Sequence, residues 1–217
     1  MKKTLPLLLF ALALAFGADS ASNRLTPEEK AEGYVLLFNG KDLSGWTGEP
    51  ALWSVSGDAI VGSSDGKKID HNTFLYTEKS YSDFVLKAEI RLRNGNSGIH
   101  FRSKAFPDWV VKGYQADASY AGERSAWGNF YEEKGRGRNV MKTTDEGWLK
   151  AKDILREGDW NDYEILAQGS RIRLTFNGRV TIDTEDTESP SGIIGFQLHT
   201  GDPMKVEFRN IKLKPLR

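Results

Sequence analysis

The strongest constraint on this chain is the alternation of apolar and polar side chains within short runs. Residues 84–93 show it most clearly, because every second position is apolar and, from residue 87 onward, every position between is charged. Successive side chains of a β-strand point to opposite faces, so this period of two predicts a strand with one buried face. Similar short runs recur along the chain and are separated by turn pairs such as Asn39-Gly40 and Gly57-Asp58. The sequence therefore predicts an all-β fold.

The predicted strands follow one another from residue 34 to residue 213, without a long helical period or an internal repeat. A chain of this length can bury one large core, and all-β domains of this size are commonly single. We therefore predict one sandwich domain over residues 33–217. Residues 122–156 are rich in glycine and charge, and such long excursions often carry function.

The first 17 residues have the pattern of a secretory signal peptide. Lys2 and Lys3 precede an apolar run that ends at Phe16, and Ala15 and Gly17 fit the small-residue positions of a cleavage site. The run is shorter than the roughly 20 residues that cross a bilayer. We expect bacterial export to the periplasm or beyond, with no membrane insertion after cleavage. The chain has no cysteine, which excludes disulfides and thiolate metal sites.

Residues 18–32 are predicted to form a leader and one short helix. Thr26 suits the N-cap, Pro27 the first helical position, Glu29 completes a capping box, and Gly33 can end the helix. We expect no functional role for this segment.

Alternate residues of each predicted strand can be assigned to a core face or to an outer face, and we call this assignment parity. It places a set of polar side chains on outer faces. These residues are Glu89, Arg91, His100, Arg102, Gln115, Asp117, Gln197 and His199. The alternative is an ordinary solvated face, but such a face favours Lys, Glu and Thr, whereas this set contains two of the three histidines. If the strands are neighbours in one sheet, the set predicts a ligand site.

Six sequence blocks then carry a resemblance to a known family. They are FNGKDLSGW at 38–46, NGNSGIHFR at 94–102, GYQAD at 113–117, WNDYEI at 160–165, GFQLHTG at 195–201 and FRNI at 208–211. In this order they resemble the 3-keto-disaccharide hydrolase family. The resemblance implies a concanavalin A-like jelly roll of two antiparallel sheets, in a secreted protein that acts on glycosides oxidised at sugar carbon 3. It also implies that the concave sheet binds the ligand.

The chain departs from that family at two steps. Many members have an acidic residue and Gln where this chain has Tyr114-Gln115, and Gln-Asp-His-Gly where it has residues 197–201. The resemblance therefore does not assign the catalytic base.

A ketone at carbon 3 makes the proton on carbon 2 acidic, so its removal can expel the group on carbon 1. Such chemistry needs a base, an acid for the leaving oxygen and a stabiliser for the enolate. We take Asp117 and His199 as candidate base and acid, with Glu132 as a further catalytic candidate. Arg102 or a bound cation is the candidate stabiliser. The candidate substrate-binding residues are Arg102, Gln115, Gln197, His100, Glu89, Tyr131 and Trp109, the last by stacking on a pyranose ring.

A divalent metal held by His199, Asp117 and a further carboxylate is left open, because imidazole and oxygen ligands suit such ions. No spaced metal motif supports it. The expected partner is a carbohydrate. Nucleic acid is disfavoured by the export signal and by a net charge near neutrality, despite the basic stretch from Lys134 to Arg138. Motifs of metalloproteases, phosphate-binding loops, serine hydrolases and dinucleotide-binding folds do not occur. The alternative function is a non-catalytic carbohydrate-binding module that uses the same face, and the oligomeric state is left open.

Overall fold

The computed structural model describes residues 22–120, 126–136, 138–141, 151 and 153–216. The predicted signal peptide and the start of the leader lie outside the described residues. No helix among the described residues is long and apolar enough to cross a membrane.

The described part of the chain forms a short helix and a series of strands in two sheets. The helix is α1 (Pro27–Ala31). The strands are β1 (Val35–Leu36), β2 (Trp46–Thr47), β3 (Trp53–Ser56), β4 (Ala59–Ser63), β5 (Thr73–Thr77), β6 (Phe84–Leu92), β7 (Asn96–Phe106), β8 (Val110–Ser119), β9 (Phe130–Glu133), β10 (Arg138–Met141), β11 (Asn161–Gln168), β12 (Arg171–Phe176), β13 (Arg179–Glu185), β14 (Ile193–Leu198) and β15 (Lys205–Pro215).

Every strand pairing in the two sheets is antiparallel among the described residues. One sheet has the order β13-β12-β11-β6-β15-β4-β3, with β1 added beside β15. The other has the order β10-β9-β8-β7-β14-β5-β2. The predicted all-β sandwich of two antiparallel sheets with a short helix is confirmed.

The core lies between the sheets and is built from the apolar positions that parity predicted. Phe196 of β14 stacks on Phe208 of β15 at 3.8 Å between ring centroids, and on Trp46 of β2 at 4.9 Å. The Phe196–Phe208 contact joins the two sheets, whereas Trp46 lies in the same sheet as Phe196. In β6, buried and half-exposed residues alternate without exception, as the sequence predicts for a strand with one face on the core.

The N-terminal helix has the predicted cap. The Thr26 hydroxyl accepts a hydrogen bond from the Glu29 amide, and the Glu29 carboxylate accepts one from the Thr26 amide. Glu29 also binds Lys212 of β15 at 2.8 Å. The cap therefore ties this segment to the outer side of the sheet that contains β6 and β15.

A β-bulge bends the β7–β8 hairpin out of its sheet. Phe101 pairs with Tyr114 and Lys104 with Lys112, so two residues of β7 oppose one residue of β8. Such an insertion kinks a strand and increases its twist. Beyond the kink, the carbonyl of Trp109 accepts a hydrogen bond from the Phe74 amide of β5 at 3.0 Å. Since β14 lies between β7 and β5 in the sheet, the hairpin tip must fold back over β14 to make this contact.

Candidate functional site

Four polar side chains lie on the side of the β7–β8–β14 sheet that faces away from the core. They are His100, Gln115, Asp117 and Gln197, and we call this set the polar face. His100 pairs with Gln115, and Asp117 pairs with Gly98, while Gln197 follows the Phe196–Ile99 pair. Antiparallel partners point to the same side of a sheet, so the register brings all four side chains together. The three strands are neighbours, as the sequence argument required.

The polar face is buried, whereas the sequence predicted an outer surface. His100 is 0% exposed, and Gln115, Asp117 and Gln197 are also buried. The folded-back hairpin supplies the cover, because Val111 of β8 packs on Phe74 and Ile193 on this side of the sheet. The Phe74 ring in turn contacts the His100 ring edge-on at 4.8 Å.

A glycine gives the amide of Gln115 room to reach Asp117. A Cβ atom at Gly98 would lie only 2.6 Å from Cγ of Gln115 and 2.7 Å from its Cδ. The Gln115 side chain therefore lies over Gly98, and its Nε2 donates to Oδ1 of Asp117 at 2.5 Å. The second carboxyl oxygen of Asp117 is left for another partner.

A second carboxyl group, Glu133 of β9, joins the polar face. Glu133 pairs with Gly113, just beyond the bulge, so β9 follows β8 as it folds back. Nε2 of Gln197 donates to Oε2 of Glu133 at 3.4 Å. Glu133 is buried as well, so the site contains two acidic groups in a place with little water.

The two carboxyl groups have different pKa values because their neighbours differ. Burial raises the pKa of Asp117 to about 8, and the negative charge of Glu133 adds to the effect, although the Gln115 hydrogen bond opposes it. Burial also raises the pKa of Glu133, but Lys134, Asn72 and His199 stabilise its ionised form. When two carboxyl groups share a site, the one that is less well stabilised as an anion keeps the proton. Asp117 is therefore the protonated partner at neutral pH.

His100 is a neutral hydrogen-bond acceptor. Burial lowers its pKa to about 3, against a smaller opposing effect of Gln115. The Ser103 hydroxyl lies 3.0 Å from the Phe101 carbonyl, which can only accept, and 3.3 Å from Nδ1 of His100. We assign the hydroxyl proton to the nearer carbonyl, so that the Ser103 oxygen accepts from Nδ1–H. The free Nε2 of the neutral ring is then an acceptor.

Three buried acceptors of the polar face have no hydrogen-bond partner within the described residues. They are Nε2 of His100, Oε1 of Gln115 and Oε1 of Gln197. Leaving a buried polar atom unpaired costs about 1–3 kcal/mol, so each needs an explanation. A ligand that brings several hydroxyl donors would satisfy all three.

His199 and Tyr131 lie at the margin of this site. Tyr131 pairs with Gln115 across β8 and β9 and is half-buried. Burial raises the pKa of Tyr131, so its hydroxyl keeps its proton and remains a donor. His199 is also partly exposed, and its Nδ1 lies 2.6 Å from the Thr200 carbonyl. The imidazole is close enough to Glu133 to influence its charge.

Three of the predicted binding residues, Glu89, Arg102 and Trp109, are not on the polar face. Glu89 was placed on the correct side of β6, but β6 belongs to the other sheet, where Glu89 accepts from Arg209 at 2.6 Å and lines a cavity of about 750 Å³. Arg102 leaves the face because it sits in the bulge with a φ of 46°. It is 1% exposed and donates to the Ser82 carbonyl, the Gly169 carbonyl and the Asp83 carboxylate.

Glu132 is also directed away from the site, since neighbouring strand residues face opposite sides. It pairs with Tyr114, a core residue, and its carboxylate binds Arg136. Arg136 in turn binds Asp186 at 2.7 Å. Glu132 was the predicted catalytic residue, and Glu133, whose direction depends on the β8–β9 register, was not predicted.

Trp109 lies at the tip of the folded-back hairpin, half-buried and beside Phe74. Its carbonyl accepts from the Phe74 amide, and the Phe74 ring contacts His100. The described residues contain no group of three or more His, Asp or Glu side chains arranged to hold a metal ion.

Comparison with solved structures gives the same fold. A Parabacteroides distasonis ATCC 8503 protein provisionally named a glycosyl hydrolase aligns with a TM-score of 0.66 and 24% identity, over 90% of this chain and 100% of its own. The carbohydrate-binding module CBM66 from Bacillus subtilis aligns with a TM-score of 0.56 and 20% identity, over 77% and 94% of the two chains. The β-glucanase of Bacillus licheniformis aligns with a TM-score of 0.54 and 12% identity, over 85% and 97%. These similarities establish the jelly-roll fold.

No curated protein matches the sequence. The sequence model of the 3-keto-alpha-glucoside-1,2-lyase-like domain matches residues 33–214, which confirms the resemblance found in the sequence. Fold and family together indicate a glycosyl hydrolase-like or carbohydrate-binding function. Because the match covers most of its length, the chain belongs to the family of 3-keto-alpha-glucoside-1,2-lyase-like domains.

Proposed function

We propose that the protein cleaves glycosides whose sugar carries a ketone at carbon 3, by elimination across carbons 1 and 2. The observation that supports this most directly is the pair of buried carboxyl groups, Asp117 and Glu133, among unsatisfied hydrogen-bond acceptors. Family membership adds the same substrate class. The elimination requires one group that accepts a proton and one that donates a proton. Asp117 keeps its proton at neutral pH, and the ionised form of Glu133 is better stabilised, so the two carboxyl groups suit these two roles.

Glu133 is the proposed base. Its ionised form is supported by Asn72, Lys134 and His199, and burial strengthens it as a proton acceptor. It takes the proton from carbon 2, and the electrons of that bond form the enolate with the ketone at carbon 3. The Tyr131 hydroxyl, which keeps its proton, is the proposed donor to the enolate oxygen.

Asp117 is the proposed acid. Its pKa of about 8 keeps it protonated at neutral pH, and Gln115 binds one carboxyl oxygen and leaves the other free to donate. As the bond from carbon 1 to the leaving oxygen breaks, Asp117 gives that oxygen its proton. The product has a double bond between carbons 1 and 2, and later addition of water there completes a net hydrolysis. Both transfers are ordinary general acid–base catalysis.

The three unsatisfied acceptors are proposed to hold the sugar. Nε2 of His100 and the side-chain oxygens of Gln115 and Gln197 each accept one hydroxyl proton from the ligand. They lie on adjacent strands of a rigid sheet, so they can fix the ring orientation relative to both carboxyl groups.

The experiment measures release of the leaving group from a chromogenic 3-keto-glucoside, with Asp117→Asn, Glu133→Gln and Glu132→Gln compared with the wild type. Removing a general acid or base typically costs about 10²–10⁴ in rate. We expect losses of that size in Asp117→Asn and Glu133→Gln. Glu132→Gln is the matched control, because Glu132 adjoins Glu133 in the chain but faces away from the site, and it should keep most of the activity.

Activity should also fall as the pH rises through about 8, because Asp117 then loses the proton that it donates. Equal activity in all three variants would refute the proposed roles. Full activity in Glu133→Gln with loss in Glu132→Gln would refute the assignment of the base.

The second candidate function is a non-catalytic carbohydrate-binding module. The unsatisfied acceptors favour it as much as they favour catalysis, since they bind hydroxyl groups without chemistry. Binding of the keto-glycoside by the wild type without any release of the leaving group would support this alternative.

A further inference from the structure

A second cavity, of about 440 Å³, lies behind the wall of the polar face. It is an open cleft bordered by the turn before β3, the loop between β4 and β5, and the tip of the β7–β8 hairpin. Its volume falls within the roughly 300–1,000 Å³ of typical ligand pockets. Residues of the polar face do not line it, so it is a separate space.

The segment from His71 to Phe74 is the wall between the two sites, and it faces them alternately. His71 and Thr73 line the cavity. Asn72 supports the charge of Glu133, and Phe74 contacts His100. This alternation is the ordinary geometry of an extended chain. A ligand in the cavity would therefore contact the residues next to those that contact the polar face.

Thr73 provides the observation that points to a ligand. It is only 4% exposed, and its hydroxyl oxygen has no hydrogen-bond partner within the described part of the chain. A buried hydroxyl without a partner is destabilising. A ligand hydroxyl in the cavity would supply the partner that the protein does not.

Trp109 forms an aromatic side of the same cavity. Its backbone has a φ of 52°, a conformation that is rare for a bulky residue and costs on the order of 1–3 kcal/mol. The surrounding structure holds it there, since its carbonyl accepts from Phe74 and the preceding Asp108 carbonyl lies 3.1 Å from Nε2 of His71. Such strained residues cluster at binding sites.

The chemistry of the lining indicates a neutral ligand that is rich in hydroxyl groups. Trp109, Leu52 and Ile69 offer apolar surface to a ring, while the remaining charges are of both signs. Lys68, for example, is paired with Asp70 at 3.0 Å. A cavity without a dominant charge does not select an ion, and an aromatic side chain combined with a free hydroxyl suits the two faces of a sugar ring.

We propose that this cavity is a second saccharide-binding site, which takes a neutral sugar ring against Trp109 and bonds it to the Thr73 hydroxyl. The ring can belong to the leaving group of a substrate bound at the polar face or to a separate sugar. If the ring belongs to the leaving group, the proposal rests on the proposed catalytic function. If the ring is a separate sugar, the proposal does not depend on that function.

The test measures the affinity of glucose and of maltose by isothermal titration calorimetry, with the wild type, Thr73→Val and Trp109→Ala. Valine has nearly the shape of threonine without its hydroxyl, so Thr73→Val should fold at least as stably as the wild type. We expect it to weaken binding about threefold to tenfold, as for one lost hydrogen bond, and Trp109→Ala to weaken it at least about tenfold. Trp160→Ala is the matched control: Trp160 is also half-buried, but it packs on Arg91 and Arg209 of the other sheet, and its loss should leave binding unchanged.

The two sugar sources are distinguished by adding Asp117→Asn and Glu133→Gln. If maltose spans both sites, these variants weaken the binding of maltose and leave that of glucose unchanged. If the cavity takes a separate sugar, they change neither. No binding of either sugar at millimolar concentration, or equal binding in the wild type, Thr73→Val and Trp109→Ala, would overturn the proposal. The experiment measures binding and needs no turnover. Its outcome therefore tests the second site even if the catalytic proposal fails.

Discussion

Replacing Asp117 with asparagine is expected to stabilise the fold while it removes the proposed acid. In the folded protein burial raises the pKa of Asp117 from an ordinary 3.8 to about 8. In the unfolded chain the same group is solvated and ionises in its ordinary range. Between these two values, the unfolded state has released a proton that the folded state retains. The wild type therefore loses stability as the pH rises through this window.

The size of the effect follows from the width of the window. Each pH unit in which only the unfolded state is ionised costs about 1.4 kcal/mol. From about pH 4 to pH 7 the wild type should therefore lose about 4 kcal/mol at this site. Asparagine keeps an oxygen that can accept from Gln115 and has no proton to lose, so the variant does not carry this cost.

The assay is urea unfolding of the wild type and Asp117→Asn at several pH values across that window. The difference in unfolding free energy should be small near pH 4 and should grow in favour of the variant by about 4 kcal/mol at pH 7. Asp202→Asn is the control, because Asp202 is exposed and its replacement removes the same kind of charge. Because it is an exposed surface position, its replacement should change the free energy of unfolding by no more than about 0.5 kcal/mol.

A pH-independent difference between the wild type and Asp117→Asn would refute the reasoning, because it would mean that Asp117 ionises as readily in the folded state as in the unfolded state. A variant that became less stable than the wild type as the pH rises would also contradict it. Such a result would place a stabilising cation or positive group beside Asp117.

Three further predictions test the surroundings of the site. Arg102→Ala should lower the free energy of unfolding by about 3–5 kcal/mol in urea unfolding, since it leaves Asp83 and two carbonyl groups without their buried partner. Gly98→Ala should cost about 1–3 kcal/mol by the same measurement, because the new methyl group would collide with Gln115, and it should also reduce sugar binding. The His100 ring should show no titration in NMR spectra between about pH 5 and pH 8, because burial lowers its pKa to about 3; a midpoint near neutrality would contradict its assignment as a neutral acceptor.

Strand parity located the polar face wherever the strands stay regular. His100, Gln115, Asp117 and Gln197 alternate with core residues, and a local pattern is enough to show that. Parity gives the side of a strand but not the sheet to which the strand belongs. Glu89 illustrates the difference, because β6 pairs with β11 and β15 in the other sheet. The partner of a strand is decided by contacts distant in sequence, and no short pattern in residues 84–93 reports them.

The choice between Glu132 and Glu133 needed a second kind of information. The two are neighbours in the chain, so they face opposite sides of β9, and only the register of β9 against β8 decides which one faces Asp117. The structure pairs Gln115 with Tyr131, which puts Glu133 on the polar face and Glu132 on the core side. The segment offered no hairpin signal from which that register could be read in advance.

The bulge in β7 links the burial of the site to its chemistry. Arg102 and Ser103 together oppose Gly113, and the resulting bend turns the hairpin back over β14 and carries β9 with it. The bend places Val111 against Phe74 and Ile193 on this side of the sheet, and Glu133, which pairs with Gly113, lies on the same face as Asp117. The different surroundings of the two carboxyl groups give them different proton affinities. Arg102 contacts the Ser82 carbonyl and the Asp83 carboxylate from within the bulge. It therefore helps to hold the backbone geometry on which the acid–base chemistry of the polar face depends, although it does not lie on that face itself.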